Sequence, residues 1–142
     1  MQSIKVLFLC RGNRCRSPLA EGLANGLPRR DCRLRAFSAG LAPRAVNPRM
    51  AEVLAEIDVR APKLTSKHVS KFQGDHFDFV ISLCGESDED CPVKLGGRNF
   101  TISLPDPCCR PNGPAVGDER ERFRRVRDAI RAMLVAWFGP EG

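Results

Sequence analysis

The apolar run Ile4-Lys5-Val6-Leu7-Phe8-Leu9 leads into Cys10-Arg11-Gly12-Asn13-Arg14-Cys15-Arg16-Ser17, and Pro18-Leu19-Ala20-Glu21 opens a helix directly afterwards. A strand that passes through a tight loop into a helix is the repeating unit of a parallel sheet, so this stretch commits the chain to an α/β architecture. Gly12 and Asn13 tolerate the unusual backbone angles such a loop needs, and successive N–H groups then converge on the helix N-terminus. That arrangement is a nest for a phosphate-like oxyanion, formed by Arg11, Gly12, Asn13, Arg14, Cys15 and Arg16. Cys10 puts a thiol where the anion binds. The amide dipoles, Arg16 and the Ser17 hydroxyl stabilise its thiolate, which makes Cys10 the expected nucleophile. Arg16 adds a planar fork that can hold two oxygens of the anion. Cys15 reads either as a small apolar residue of the first helical turn or as a redox thiol.

The remaining pattern continues the alternation of strand and helix. Strand one covers Ile4 to Leu9, the first helix Ser17 to Asn25, and a second strand Leu34 to Ser38. Asn47-Pro48 reads as a cap and first-turn proline for a helix through Met50, Val53, Leu54 and Ile57. A short helix is expected near Ser66 to Phe72, a buried parallel strand over Phe77 to Leu83, and a fourth strand over Phe100 to Leu104. Pro105 to Gly117 reads as a loop. Phe123, Val126, Ile130, Leu134 and Trp137 are the expected buried stripe of a closing helix. One domain spanning residues 1–142 accommodates all of this.

Seven cysteines with no secretory signal ahead of them point to reduced, chemically employed thiols in the cytoplasm. No run approaches the length of a membrane span. The net charge of +6 suits an anionic substrate, although Arg120, Arg122, Arg124, Arg125, Arg127 and Arg131 read as the solvated face of one helix. Nucleic-acid binding finds no support, because no basic stripe is interleaved with aromatic residues.

Two further constellations carry chemistry. Cys84 and Cys91 flank Gly85-Glu86-Ser87-Asp88-Glu89-Asp90, and Cys84 follows a strand at the sheet edge that also holds Cys10. The two thiols read either as an exchangeable pair or as unrelated cysteines. A zinc site is not expected, since Cys84, Cys91, Cys108 and Cys109 lack paired C-x2-C spacing. Asp106, in Leu104-Pro105-Asp106-Pro107, falls at the same edge and is a candidate general acid or base. His68 and His76 are expected to be structural, and Cys32 to pack near the second strand.

Nearly the whole chain resembles the low-molecular-weight tyrosine phosphatase superfamily, and within it the thioredoxin-coupled arsenate reductases. The resemblance rests on the Cys10-to-Ser17 loop, Ala20-Glu21-Gly22, Ser38-Ala39-Gly40, Val46-Asn47-Pro48, Thr65-Ser66, Leu83-Cys84-Gly85, Cys91-Pro92, Asp106-Pro107, and Phe123 with Val126-Arg127-Asp128. It implies a three-layer, flavodoxin-like sandwich around a four-stranded parallel sheet. It also implies a relay in which Cys10 attacks arsenate, Cys84 attacks Cys10 as arsenite leaves, and Cys91 resolves the Cys10–Cys84 disulfide, with Asp106 assisting proton transfer. A monomer is implied, with no tightly bound cofactor and with electrons from thioredoxin or another thiol donor. Two alternatives share the loop: a tyrosine phosphatase acting through a Cys10 phosphoenzyme, and a non-enzymatic redox sensor. Three departures stand out: the extra pair Cys108-Cys109, the phosphatase-like Cys15 and Pro18, and Lys67. Lys67 occupies the place where some of these reductases have an aspartate that, with residues matching Asn13, Glu21 and Ser38, holds potassium. Its ammonium is expected to take over those contacts.

Overall fold

A computed structural model describes residues 2–60, 64–83, 96–107 and 118–142. Four parallel strands, β1 (Gln2–Cys10), β2 (Cys32–Gly40), β3 (His76–Ser82) and β4 (Gly96–Thr101), form one sheet in the order β2-β1-β3-β4. Helices α1 (Arg16–Gly26), α2 (Arg49–Ala55) and α3 (Glu119–Phe138), and a short 3-10 turn at Val69–Phe72, complete the described structure.

The alternation within β1 explains the layers. Val6 and Phe8 join Leu34, Ala36 and Ile81 in a cluster with Leu19 and Leu23 of α1, Val53 and Leu54 of α2, and Phe123, Ile130 and Leu134 of α3. Leu7 and Leu9 point the other way, against Phe77, Val80, Val69 and Phe72, so the 3-10 turn supplies a thin third layer. Because both faces are covered, the central strand is an unbroken apolar run, as buried parallel strands require. The strand order reverses between β1 and β3, which opens a crevice at their carboxyl ends, the place where open α/β sheets bind ligands. Cys10 is the last residue of β1.

Several expectations are corrected. The fourth strand is Gly96–Thr101 in place of Phe100 to Leu104. As an edge strand exposed along most of its length, it carries polar residues that gave no apolar signal, while Ile102 and Leu104 beyond it pack against the main core. The helix expected at Ser66 to Phe72 shrinks to Val69–Phe72, because the Lys67 backbone is already committed: its N–H donates to Asn13 Oδ1 at 2.7 Å and its carbonyl accepts from Gly40 N at 2.8 Å. Helix α2 begins as expected, with Arg49 N donating to Asn47 Oδ1, but it stops at Ala55, before Asp58 enters the left-handed region at φ 59°. Trp137 leaves the buried stripe and Phe138 takes its place. Its indole instead meets the Phe100 ring edge-on, 5.0 Å between centroids.

The arginines of α3 are not simply a solvated face. Arg127 is buried and donates to Val53 O and Glu56 Oε1, both at 2.8 Å, while Arg124 pairs with Glu56 at 2.6 Å and Arg131 with Glu141 at 2.8 Å. These contacts tie α3 to α2 and to the C-terminal residues. No helix among the described residues is long and apolar enough to cross a membrane.

Candidate active site

The loop between β1 and α1 is shaped from outside by a segment the sequence did not single out. Ala42 N donates to Arg11 O at 2.8 Å, Arg44 N to Gly12 O at 2.9 Å and Asn47 N to Arg14 O at 3.1 Å. Ser66 Oγ adds a second bond to Gly12 O. A trans peptide plane points its C=O and the next N–H in opposite directions, so pulling these carbonyls outward turns the following amides inward. The result is a nest at the N-terminus of α1, whose capping residue Cys15 supplies no side-chain cap.

The backbone requirement falls on Asn13, as expected, but not on Gly12. Asn13 adopts φ 45°, a left-handed conformation that asparagine tolerates, whereas Gly12 is not among the positive-φ glycines. A Cβ on Gly12 would make only ordinary contacts, starting at 3.6 Å. The indispensable glycine is Gly40, at the end of β2. A Cβ there would lie 2.7 Å from Asn13 N, 2.8 Å from Arg11 O and 2.9 Å from Cys10 O. In the sequence Ser38-Ala39-Gly40 stands only as one motif of the resemblance, since nothing local announces that the strand end abuts the loop.

Cys10 is buried, and its Sγ lies 2.9 Å from Ser17 Oγ and 3.5 Å from Ser17 N. The hydrogen-bond directions around it follow from donor counting. Asn13 Oδ1 accepts from the Lys67 N–H, so its Nδ2 must face the two serines, donating to Ser17 Oγ at 2.8 Å and Ser38 Oγ at 2.9 Å. Ser38 Oγ passes its own proton to Glu21 Oε1 at 2.6 Å. Ser17, already accepting from Asn13, therefore has its proton free to donate to Cys10 Sγ. A hydroxyl and a backbone N–H are thus aimed at the sulfur. Asn13, Ser17 and Ser38 are all fully buried, so this polarity is insulated from water.

Behind this network, the Lys67 ammonium sits 3.6 Å from Glu21 Oε1 and donates to Thr65 O at 2.6 Å. Of the contacts expected of it, to Asn13, Glu21 and Ser38, the ammonium makes the one to Glu21, while Asn13 Oδ1 is taken by the Lys67 backbone N–H; a metal ion sharing the carboxylate would meet like-charge repulsion of roughly 4 kcal/mol at 4 Å in an effective dielectric near 20. The residues present do not suit a bound potassium ion. Among the described residues no group of three or more His, Cys, Asp or Glu side chains could hold a metal.

Arg16 is buried, and its Nη1 donates to Leu104 O at 3.1 Å, anchoring the segment after β4 to the loop. Arg122 Nε holds Pro107 O at 3.0 Å from the other side. Asp106, half-buried, lies between these two anchors at the same sheet edge as Cys10. Leu83 N donates to Leu9 O at 2.7 Å, so the residues that precede Cys84 and Cys10 are neighbours. Cys84, Cys91, Cys108 and Cys109 lie outside the described residues. Cys32 is buried in the main core with its Sγ toward Phe138 O, and exposed His68 caps the 3-10 turn by accepting from Ser70 N.

A family model described as low molecular weight phosphotyrosine protein phosphatase matches residues 5–140. The chain is 31% identical over 135 residues to an arsenate reductase of Staphylococcus xylosus, covering 94% of this chain and 95% of that protein. It is 33% identical over 139 residues to arsenate reductase 2 of Staphylococcus saprophyticus, covering 97% and 98%. A solved structure of an arsenate reductase in the phosphate binding state superposes with a TM-score of 0.69 at 28% identity, covering 96% of this chain and 95% of that one.

Proposed function

Because the chain belongs to the low molecular weight phosphotyrosine protein phosphatase family, we propose that it turns that family's anion loop to the reduction of arsenate to arsenite. The observation that carries the chemistry is the 2.9 Å contact between Cys10 Sγ and the Ser17 hydroxyl, which accepts from Asn13 Nδ2 and so can turn its proton to the sulfur. The similarity to arsenate reductases over nearly the full chain supports the choice of substrate.

Arsenate binds the inward amides of residues 11–16, with the Arg16 fork on two of its oxygens. The Cys10 thiolate displaces one oxygen, which departs as water after taking a proton from Asp106, and a sulfur–arsenic bond forms. The Cys84 thiolate then attacks Cys10 Sγ. The electron pair of the sulfur–arsenic bond passes to arsenic, arsenite leaves, and a Cys10–Cys84 disulfide remains. Cys91 attacks Cys84 Sγ, frees Cys10 and leaves a Cys84–Cys91 disulfide for a thiol donor such as thioredoxin to reduce. Lys67 holds Glu21 in place through this cycle, as an internal cation.

The test is arsenate turnover with thioredoxin, its reductase and NADPH, followed by peptide mapping. Wild type should accumulate Cys84–Cys91 when the donor is withheld, and Cys91→Ser should accumulate Cys10–Cys84. The phosphatase alternative uses the same loop but needs neither Cys84 nor Cys91, because water hydrolyses the phosphoenzyme. Full aryl phosphate turnover without arsenate reduction would therefore replace the reductase reading. Oxidation of Cys84 and Cys91 without arsenite release would leave a redox sensor.

A further inference from the structure

The arginines of this chain are treated in two different ways. On the α2–α3 side they are paired: Arg49 and Arg120 with Glu52, Arg124 and Arg127 with Glu56, Arg131 with Glu141. At the anion loop two of them are not, among the described residues. Arg11, which follows the nucleophile, and Arg44, whose backbone N–H holds Gly12 O, are both exposed and make no ion pair or side-chain hydrogen bond among the described residues. The Arg44 stem lies along Gly12, with Cδ 3.8 Å from where a Cβ on that glycine would be. Among the described residues these two charges at the loop mouth have no acidic partner, whereas the arginines of the α2–α3 side do.

We propose that Arg11 and Arg44 form an electropositive rim that captures the dianionic form of the oxyanion before it reaches the inner Arg16 and the loop amides. The inference rests on the oxyanion reading of the loop above. Uncompensated charge beside a concave site raises the local concentration of a counter-ion and its association rate, and the effect falls with ionic strength. The rim acts on the approaching anion through its field, so it governs capture and not the chemical step at sulfur. A dianion gains twice the Coulomb attraction of a monoanion, so the rim also favours the more ionised form of the substrate.

The test compares wild type with Arg11→Gln, Arg44→Gln and the double variant. Binding of inorganic phosphate to the reduced protein is measured by calorimetry and arsenate turnover by steady-state kinetics, each at low and at high ionic strength. The double variant should raise the phosphate Kd and the arsenate KM about tenfold at low salt, within the range such steering spans, with kcat held within about twofold. At high salt that difference should shrink to about twofold. An unchanged Kd and KM in the double variant, or a difference that persists undiminished in high salt, overturns the rim. A fall in kcat with KM unchanged does so as well. Wild type that binds phosphate with the predicted salt and variant dependence but never reduces arsenate upholds the rim and overturns the reductase reading alone.

Discussion

Replacing Asn13 with aspartate changes almost no volume and keeps a residue type that tolerates φ 45°, so it isolates the hydrogen-bond polarity around Cys10. One carboxylate oxygen can still accept from Lys67 N, but the other cannot donate to Ser17 and Ser38 as Nδ2 does at 2.8 and 2.9 Å. The bonds lost are those from Ser38 to Glu21 and from Ser17 to Cys10, about 1 kcal/mol each, and leaving those buried acceptors short of a donor adds about 1–3 kcal/mol. A total of about 3–5 kcal/mol lowers the melting temperature of a domain this size by about 10–15 °C. The serine protons also turn toward the new carboxylate. Ser17 then no longer donates to Cys10 Sγ, and loss of that hydrogen bond, about 1.5–3 kcal/mol, slows alkylation of Cys10 by about ten- to a hundredfold. Alkylation by iodoacetamide at neutral pH, with the Cys10 peptide quantified by mass spectrometry because the chain has seven cysteines, reads this directly. Asn13→Ala is the control: it loses all three side-chain bonds yet leaves the Ser17 proton available to sulfur. It should be at least as unstable as the aspartate variant but alkylate much closer to the wild-type rate. Wild-type alkylation in Asn13→Asp would refute the assigned proton directions.

Gly40→Ala should cost at least about 2 kcal/mol and abolish measurable phosphate binding in calorimetry, since its Cβ meets three backbone atoms within 2.9 Å; wild-type affinity would show that the loop yields. Arg16→Lys keeps the charge but loses the fork, so arsenate kcat/KM should fall at least about a hundredfold in steady-state assays, and a near-normal value would contradict the two-oxygen grip. Hydrogen bonds from Arg124, then from Arg127, hold the Glu56 carboxyl down at about 2 from 4.5. A depressed folded value stabilises above the unfolded one and is lost as pH falls through the folded one, so denaturant unfolding should show wild type losing stability between about pH 5 and 2 more steeply than Glu56→Gln. Exchanging potassium for sodium at constant ionic strength should leave melting temperature and turnover unchanged, and a potassium-specific rise would remove Lys67 from its place as the internal cation.

The alternation of apolar runs with helical stripes was enough to assign a parallel α/β sheet, because burial on both faces over Val6–Cys10 and Val80–Ile81 selects mostly apolar residues there. The shape of the loop after β1 was equally legible: a strand end, an asparagine in the left-handed region and an arginine at a helix start are local requirements, and local requirements leave residue-level traces. Edge strand β4 was misplaced because one side of it faces solvent, so pairing rather than apolarity decides its bounds. Trp137 was misread for a related reason, since the sheet edge offers an indole partners outside the buried stripe. The need for Gly40, the outward pull of residues 42–47 on the loop carbonyls and the donor order running from Lys67 N through Asn13 to Ser17 came only from the tertiary structure. Each depends on which atoms distant segments bring within 3 Å of one another, and the identity of a residue carries no information about a neighbour supplied by another part of the chain.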